Sequence, residues 1–389
     1  MNASFIYQTP TKIYFGENQL GKLGQELKSH GQRVLLVYGG GSVKKTGLYG
    51  KIVEEIKKAN LELFELSGIE PNPRHTSVNK GAEICKKENI DVILAVGGGS
   101  VIDVAKFISP ATFYDGDSWD FFTRKTKMTA FLPVVTILTL SGTGSEMDSF
   151  GIINNLDTNE KIPLAHPSLF PKASFLDPTI TYTVNAYQTA CGGIDAFSHF
   201  LEVYFMKPNM FLLEATMESF MKTILKFLPV ALQEPENYEA RANLMWASSW
   251  ALNGFTFGAT NQPFMCHYIE DELSAKYNIT HGLGLAIVLP HYLEYCLNKN
   301  NVHIYYQFGC NVLSIDNTLP EMEVAKMAIK MLANFFFNTC NLQSRLREVG
   351  IADESRFEEM AEIACRGGVL HGFADLDKQD IVNIYRKCL

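Results

Sequence analysis

The chain has 389 residues, 47% hydrophobic, 20% charged and 12% aromatic, which is enough apolar material to bury a large core over two or three domains. Its formal net charge of -8 comes with no run of Lys or Arg longer than a pair, arguing against a nucleic acid or an anionic membrane and leaving a small molecule as the default partner. Eight cysteines are scattered without a CxxC pair, which points to reduced, packed thiols rather than a disulfide framework or zinc cluster.

At the N-terminus, "MNASFIYQTPTKIYFG" has no basic region followed by an apolar core, and no uncharged apolar run of about 18 residues occurs anywhere, so a cytoplasmic protein is expected. The stretch "FIYQTPTKIYFG" reads as an initial β-hairpin. From about 33 to 113, short apolar runs ("RVLLVYGG", "LELFELSG", "DVILAVGG") alternate with helical patterns, as βαβ units with right-handed crossovers do. "FLPVVTILTL" (131–140) and "KASFLDPT" (172–179) add strands to the same parallel sheet. After about 185 the pattern changes to apolar residues at three-and-four spacing, as in "MFLLEATMESFMKTILKFLPVAL". The predicted organisation is an α/β dinucleotide-binding domain over 1–185 and an all-helical domain over 186–389, with a packed junction that suits a ligand cleft.

Two glycine-rich turns, "YGGGS" (38–42) and "AVGGGS" (95–100), each follow a strand and precede a helix, where open α/β sheets bind ligands. Glycines let backbone N–H groups approach phosphates there, and a helix N-terminus favours negative charge. Neither turn fits G-x-G-x-x-G, because Ile102 stands where the third glycine should be. Two such turns in one sheet, followed by "TLSGTGSEMDSF" (139–150) with the hydroxyls of Thr139, Ser141, Thr143 and Ser145, favour a dinucleotide over generic turns. Asp103 and Lys106 fall in the first turns of the second helix, and Ser100 with Asp103 has a purely structural reading as a variant capping box.

In "CGGIDAFSHFLE" (191–202), Asp195 and His199 lie four apart on one helical face. His267 and His281 lie fourteen apart in "HYIEDELSAKYNITHG", with a helix end and a turn between them that could bring them together. One oxygen and three nitrogens suit a borderline divalent ion with an open position for a substrate oxygen. Any one of these histidines alone reads as an ordinary packed residue; the joint pattern is what points to metal.

These stretches, with "VGGGSVIDVAK", "TGSEMDSFGIINN", "TNEK", "SFLDPTITYTV", "HGLGLAIVLP" and "IVNIYRKCL", resemble the iron-containing (group III) alcohol dehydrogenases nearly end to end, and most of all their NADPH-dependent butanol dehydrogenase branch. The resemblance implies a dehydroquinate-synthase-like architecture: an α/β dinucleotide-binding domain and an all-α domain with cofactor and metal between them. It implies Asp195, His199, His267 and His281 as ligands of one divalent metal, Fe2+ with Zn2+ as the alternative. It also implies Gly97, Gly98, Gly99 and Ser100 as the pyrophosphate turn and Asp103 beside the nicotinamide ribose. Thr139, Leu140, Thr143 and Ser145 then line the nicotinamide pocket, and Lys161 contacts the cofactor.

NAD-preferring relatives carry an acid where this chain has Gly40. The run Gly39, Gly40, Gly41 and Ser42, followed by Lys44 and Lys45, therefore favours NADP(H). Three departures from the family stand out: Asp271 replaces a histidine usual four residues after His267, "QPFMCH" replaces the usual turn before His267, and Asn185 replaces a proline, a helix-entry detail. The expected reaction is reversible hydride transfer between NADP(H) and a primary alcohol or aldehyde, running as reduction of butanal-like aldehydes, with Asp271 or Asp148 helping to move the proton. A homodimer is expected. The alternatives are a polyol or dehydroquinate-type reaction on the same fold, against which the Asp/His/His/His set argues, and a metal- and nucleotide-binding protein with weak or lost catalysis.

Overall fold

The computed structural model describes residues 6–207, 209–257 and 264–389. They form two compact units, one of residues 8–184 with 236–253, the other of residues 185–235 and 254–389 with Ile6 and Tyr7.

The first unit is built on a six-stranded, wholly parallel sheet. Its strands are β1 (Lys12–Phe15), β2 (Arg33–Tyr38), β3 (Glu62–Leu66), β4 (Val92–Gly97), β5 (Val134–Leu138) and β8 (Ala173–Leu176), in the order β1-β8-β5-β4-β2-β3. Between β5 and β8 the chain makes a separate antiparallel hairpin of β6 (Phe150–Asn155) and β7 (Glu160–Ala165). The helices are α1 (Leu23–Lys28), α2 (Ser42–Lys45), α3 (Leu48–Lys58), α4 (His75–Glu88), α5 (Gly99–Ala111) and α6 (Trp119–Phe122).

Alternate residues of β2 bury to opposite faces: Val34, Leu36 and Tyr38 pack with Leu23, Leu27, Ile52 and Ile56 of α1 and α3, while Leu35 and Val37 pack with Val78, Ala82, Val104 and Ile108 of α4 and α5. Helices on both faces explain why the strands read as continuous apolar runs. The chain winds from β2 outward to β3 and from β4 outward to β5 and β8, so β2 and β4 are the neighbouring strands at which the order reverses. Both glycine-rich turns leave the carboxyl ends of these two strands, the usual ligand position in an open α/β sheet.

Two expectations need correction. The initial hairpin is absent among the described residues: from Ile6 only Lys12–Phe15 is a strand, and it pairs parallel with β8 rather than with the residues before it. Pro10 lacks the N–H a ladder needs, and the short run "KIYF" suits an edge strand as well as a hairpin arm. Ser100 does not cap α5 either. The cap position is Gly98, no side chain caps the helix, and Asp103 accepts instead from Ser145 Oγ at 2.6 Å and Ile152 N–H at 3.0 Å.

The second unit holds α7 (Ala186–Phe205) and α8 (Phe211–Gln233). The chain then contributes α9 (Tyr238–Trp250) to the first unit, although the sequence reading places that stretch in the helical half. It returns as α10 (Gly254–Phe257), α11 (Met265–Tyr277), α12 (His281–Cys296), α13 (Val302–Leu313), α14 (Glu321–Asn334), α15 (Phe357–Ala364) and α16 (Lys378–Cys388). Asn185 is the N-cap of α7, its side-chain oxygen accepting Gln188 N–H at 2.8 Å, so the departure from proline has a direct capping role.

Glycines set the close approaches in this unit. A Cβ on Gly193 would overlap Leu228 of α8, one on Gly282 would overlap the Cys191 carbonyl of α7, and one on Gly284 would overlap the Glu270 carboxylate. All eight cysteines are free thiols, and no helix among the described residues is long and apolar enough to cross a membrane.

Candidate metal centre and nucleotide-binding turns

Seventeen of the twenty residues of α7 are buried, so an acid and an imidazole on it require partners from neighbouring helices. They find them within the helical unit. Asp195 Oδ1 lies 3.6 Å from His199 Nδ1, 3.8 Å from His267 Nε2 on α11 and 3.8 Å from His281 Nε2 at the start of α12. The rings of His199 and His267 stack with centroids 4.4 Å apart, and those of His267 and His281 lie 5.3 Å apart. The turn between α11 and α12 runs through Asn278, left-handed at φ 53°, and Thr280, and places His281 as the first residue of its helix.

Two buried glutamates that the sequence reading did not single out orient this group. Glu202, two turns beyond Asp195 on α7, pairs through Oε1 with His267 Nδ1 and accepts Cys266 N–H through Oε2 at 2.7 Å. Glu270 pairs through Oε2 with His281 Nδ1 and accepts the Ser274 hydroxyl through Oε1. A carboxylate on Nδ1 of His267 and of His281 would let Nε2 present its lone pair to an ion beside Asp195, the arrangement that fixes tautomer and orientation in metal-binding histidines. Their signal was positional: each glutamate lies three residues past a site histidine, His199 or His267, on the same helix.

Asp195 Oδ1, His199 Nδ1 and His267 Nε2 are buried and have no hydrogen-bond partner. Asp195, His267 and His281 offer ligand atoms that all lie within 4.8 Å of one another, a set that fits a divalent ion, and the orphan His199 Nδ1 lies beside them, 3.6 Å from Asp195 Oδ1. Burial pushes the Asp195 carboxyl up, yet the surrounding imidazoles, His199 foremost, hold it well below the usual carboxylate range. Burial and the neighbouring His267 push His199 down to about 3, whereas burial of His267 is outweighed by Glu202 and Asp195, which lift it to about 10. Asp271, one turn past His267 on α11, is buried with Oδ1 4.0 Å from His281 Nδ1. Gln262 and Pro263, the first residues of the "QPFMCH" departure, lie outside the described residues.

In the α/β unit, the turn after β4 is tightly enclosed. A Cβ on Gly97 would overlap Val101, one on Gly98 would press on Leu140, and one on Gly99 would overlap Thr143. Thr139 N–H donates to Gly97 carbonyl at 3.0 Å, so the loop after β5 lies against the turn. At the neighbouring turn, Gly39 lies against Val101 at the start of α5, while Gly40 and Gly41 face open space. The structure thus gathers Gly97, Gly98, Gly99 and Asp103 with Thr139, Leu140, Thr143 and Ser145, and sets Gly39, Gly40 and Gly41 in the turn after the adjacent strand β2, with Ser42 opening α2.

A fully buried lysine anchors this arrangement. Lys106 Nζ donates to Ser145 Oγ at 2.9 Å, Asp148 Oδ1 at 2.7 Å and Phe150 carbonyl at 2.7 Å, using all three ammonium hydrogens. Ser145 donates its own hydroxyl to Asp103 Oδ1, and Asp148 Oδ1 also accepts Phe150 N–H at 2.7 Å. Burial pushes the Asp148 carboxyl up to about 7 against the pull of Lys106, and pushes Asp103 up against Lys106, its hydrogen bonds and Lys161 on β7. Gly144, at φ +75°, approaches the Ser248 carbonyl of α9, and Glu146 takes the Ser249 hydroxyl of the same helix, which ties α9 to this loop.

A family model for iron-containing alcohol dehydrogenase matches residues 10–178, and one for the C-terminal part of the Fe-containing alcohol dehydrogenase family matches residues 189–389. NADH-dependent butanol dehydrogenase B of Clostridium acetobutylicum is 45% identical over 386 residues, covering 98% of this chain and 99% of its own. NADPH-dependent aldehyde reductase YqhD of Escherichia coli is 37% identical over 291 residues, 74% of each chain. The crystal structure of NADH-dependent butanol dehydrogenase A from Thermotoga maritima matches at a TM-score of 0.94 and 34% identity, covering 99% of this chain and 98% of that one.

Proposed function

Since the chain belongs to the iron-containing alcohol dehydrogenase family and is an oxidoreductase of alcohols and aldehydes, we propose that it reduces butanal-like aldehydes with NADPH, holding one Fe2+ at Asp195, His199, His267 and His281. The observation that carries this reading is the convergence of Asp195 Oδ1, His199 Nδ1 and His267 Nε2, buried and unpartnered, with His281 Nε2 3.8 Å from the same oxygen. When bound, the ion supplies Lewis acidity to a substrate oxygen and the nicotinamide supplies the hydride. The donors, one carboxylate and three imidazoles with no sulfur, suit a borderline divalent ion, and membership of the iron-containing family favours Fe2+.

For the cofactor, Gly97 to Ser100 at the start of the thirteen-residue α5 take the pyrophosphate. Asp103, Thr139, Leu140, Thr143, Ser145 and Lys161 hold the nicotinamide end. The turn Gly39, Gly40, Gly41 and Ser42 carries no acid, and the open space at Gly40 and Gly41 leaves room for a 2′-phosphate. Relatives of both cofactor habits support the family's nucleotide use and leave the choice to these residues. Asp271 assists the proton that completes the alcohol. Asp148, with Oδ1 occupied by Lys106 and Phe150 N–H, positions Ser145 through Lys106 rather than moving a proton.

A homodimer is supported by β1, an edge strand beside which Phe15 and Trp246 are both partly exposed and meet edge to face at 5.5 Å. Eight free thiols fit a reducing, cytoplasmic setting. The test is metal analysis of protein purified without chelators, coupled to NADPH and NADH oxidation with butanal. Iron at one per chain and a higher kcat/KM with NADPH are expected. A ratio below one overturns the cofactor choice, zinc in place of iron overturns the ion, and no turnover across an aldehyde panel overturns the reaction.

A further inference from the structure

Beside the turn that follows β2, a lysine and a glutamate are held in register by two tyrosines. Tyr38, the last residue of β2, donates its hydroxyl to Glu65 Oε2 at 2.7 Å, and Tyr49 of α3 donates to Glu65 Oε1 at 2.6 Å. Lys44, in α2 just past the glycines, sets its Nζ 5.2 Å over the Tyr38 ring, 4.7 Å over the Tyr49 ring and 3.8 Å from Glu65 Oε2. The Lys44 and Glu65 side chains remain 52% and 34% exposed, so a ligand at the turn can reach both charges.

We propose that Lys44 and Glu65 are opposed specificity residues that set how strongly this chain distinguishes nucleotides with a 2′-phosphate from those without, Lys44 favouring the phosphate and Glu65 disfavouring it. The inference rests on the reading above that the turn of Gly39 to Ser42 takes the adenosine end of the cofactor. With both carboxylate oxygens bound by phenols, Glu65 is fixed in place. Burial pushes its carboxyl up, but the two hydroxyls and Lys44 hold it below the usual range, so it keeps its charge. A fixed anion repels a phosphate dianion and competes for the lysine. A cation over two rings is attracted to the phosphate and needs only to turn from Glu65 to meet it.

The test measures the NADPH-to-NADH ratio of kcat/KM in Lys44→Met, Lys44→Arg and Glu65→Gln, with calorimetric binding of adenosine 2′,5′-bisphosphate and AMP to the full chain. Lys44→Met is expected to lower the ratio about three- to tenfold and Glu65→Gln to raise it by a similar factor, the scale of a partly exposed charge. Lys44→Arg should keep the wild-type ratio to within about twofold, and the bisphosphate should follow the same order. Lys44→Met and Glu65→Gln break the same ion pair, so a purely structural pair would shift the ratio in one direction or not at all, and either result overturns the proposal. A wild-type preference for NADH would instead overturn the cofactor assignment, with the opposite signs still standing.

Discussion

The Glu202 carboxylate on α7 serves two neighbouring residues of α11 at once, pairing through Oε1 with His267 Nδ1 and taking the Cys266 N–H through Oε2 at 2.7 Å. One buried acid therefore satisfies a backbone donor at the start of α11, which has no side-chain cap of its own, and turns the third residue of that helix toward Asp195. Helix entry and imidazole orientation are a single event.

Glu202→Gln should separate these roles. The amide oxygen can still accept Cys266 N–H, but the amide nitrogen cannot accept from His267 Nδ1, so the ring loses its enforced tautomer. Metal affinity is expected to fall about 10- to 100-fold with the helical content retained. Competition with a chromophoric chelator, read beside far-ultraviolet circular dichroism, checks it. Unchanged affinity would remove Glu202 from the support of the site.

Gly282→Ala should damage the same site from the opposite side. Its Cβ would overlap the Cys191 carbonyl, so α12 must move off α7 and carry His281 away from Asp195. The expected cost is about 1–3 kcal/mol in urea unfolding, with reduced metal content. Gly40→Ala, where nothing lies within 4 Å, should leave stability nearly unchanged. Equal behaviour of the two variants would sink the close-approach argument.

The parallel sheet was legible because helices cover both faces: β2 and β4 had to be continuous apolar runs, each leading into glycines, and β5 a run broken only by Thr136. Asp195 and His199 stood out at helical spacing in an apolar stretch, and His267 and His281 as two histidines on either side of a helix end and a turn; the structure brings these side chains together. Glu202 and Glu270 were not, since an acid three residues past a histidine is common on helix surfaces, and only the packing of α7, α11 and α12 shows that these two are buried. The partner of β1 was illegible for a related reason. "KIYF" fixes an extended segment but not which strand completes its ladder, and that strand, β8, lies far along the chain. Ser100 misled because a serine after glycine at a strand end is a good N-cap by composition, while here the helix begins one residue earlier at Gly99.

Lys106→Met should expose what the buried lysine holds. Removing the cation leaves Asp103 and Asp148 without their common partner, at an expected cost of about 3–5 kcal/mol near pH 8. Lys106 lowers both carboxyls, so without it their folded pKa values rise further above the unfolded ones. A carboxyl raised on folding contributes stability at acid pH, present in full below the unfolded value of 3.8 and lost as pH rises through the folded value, about 7 for Asp148 in the wild type. The deficit of the variant is therefore expected to shrink from pH 8 toward pH 5 in denaturant unfolding. A deficit that is constant or grows toward acid would show that the two carboxyls are not what Lys106 stabilises.

Asp271→His tests the chemistry beside the proposed metal ligands. Asp271 follows His267 by one turn on α11 and approaches His281 Nδ1 to 4.0 Å, a nitrogen already paired with Glu270, so two acids flank one imidazole. An introduced histidine keeps a group able to carry a proton but removes one of the two negative charges and brings its own titration near pH 6.5. Since Asp195, His199, His267 and His281 are untouched, metal content is expected to stay at the wild-type level. The pH profile of kcat for aldehyde reduction is expected to gain a limb between about pH 6 and 8. Asp271→Asn, which cannot carry a proton, should lower kcat across the range without that limb. If all three proteins give superimposable profiles at equal metal content, Asp271 takes no part in handling the proton and its carboxylate serves packing alone.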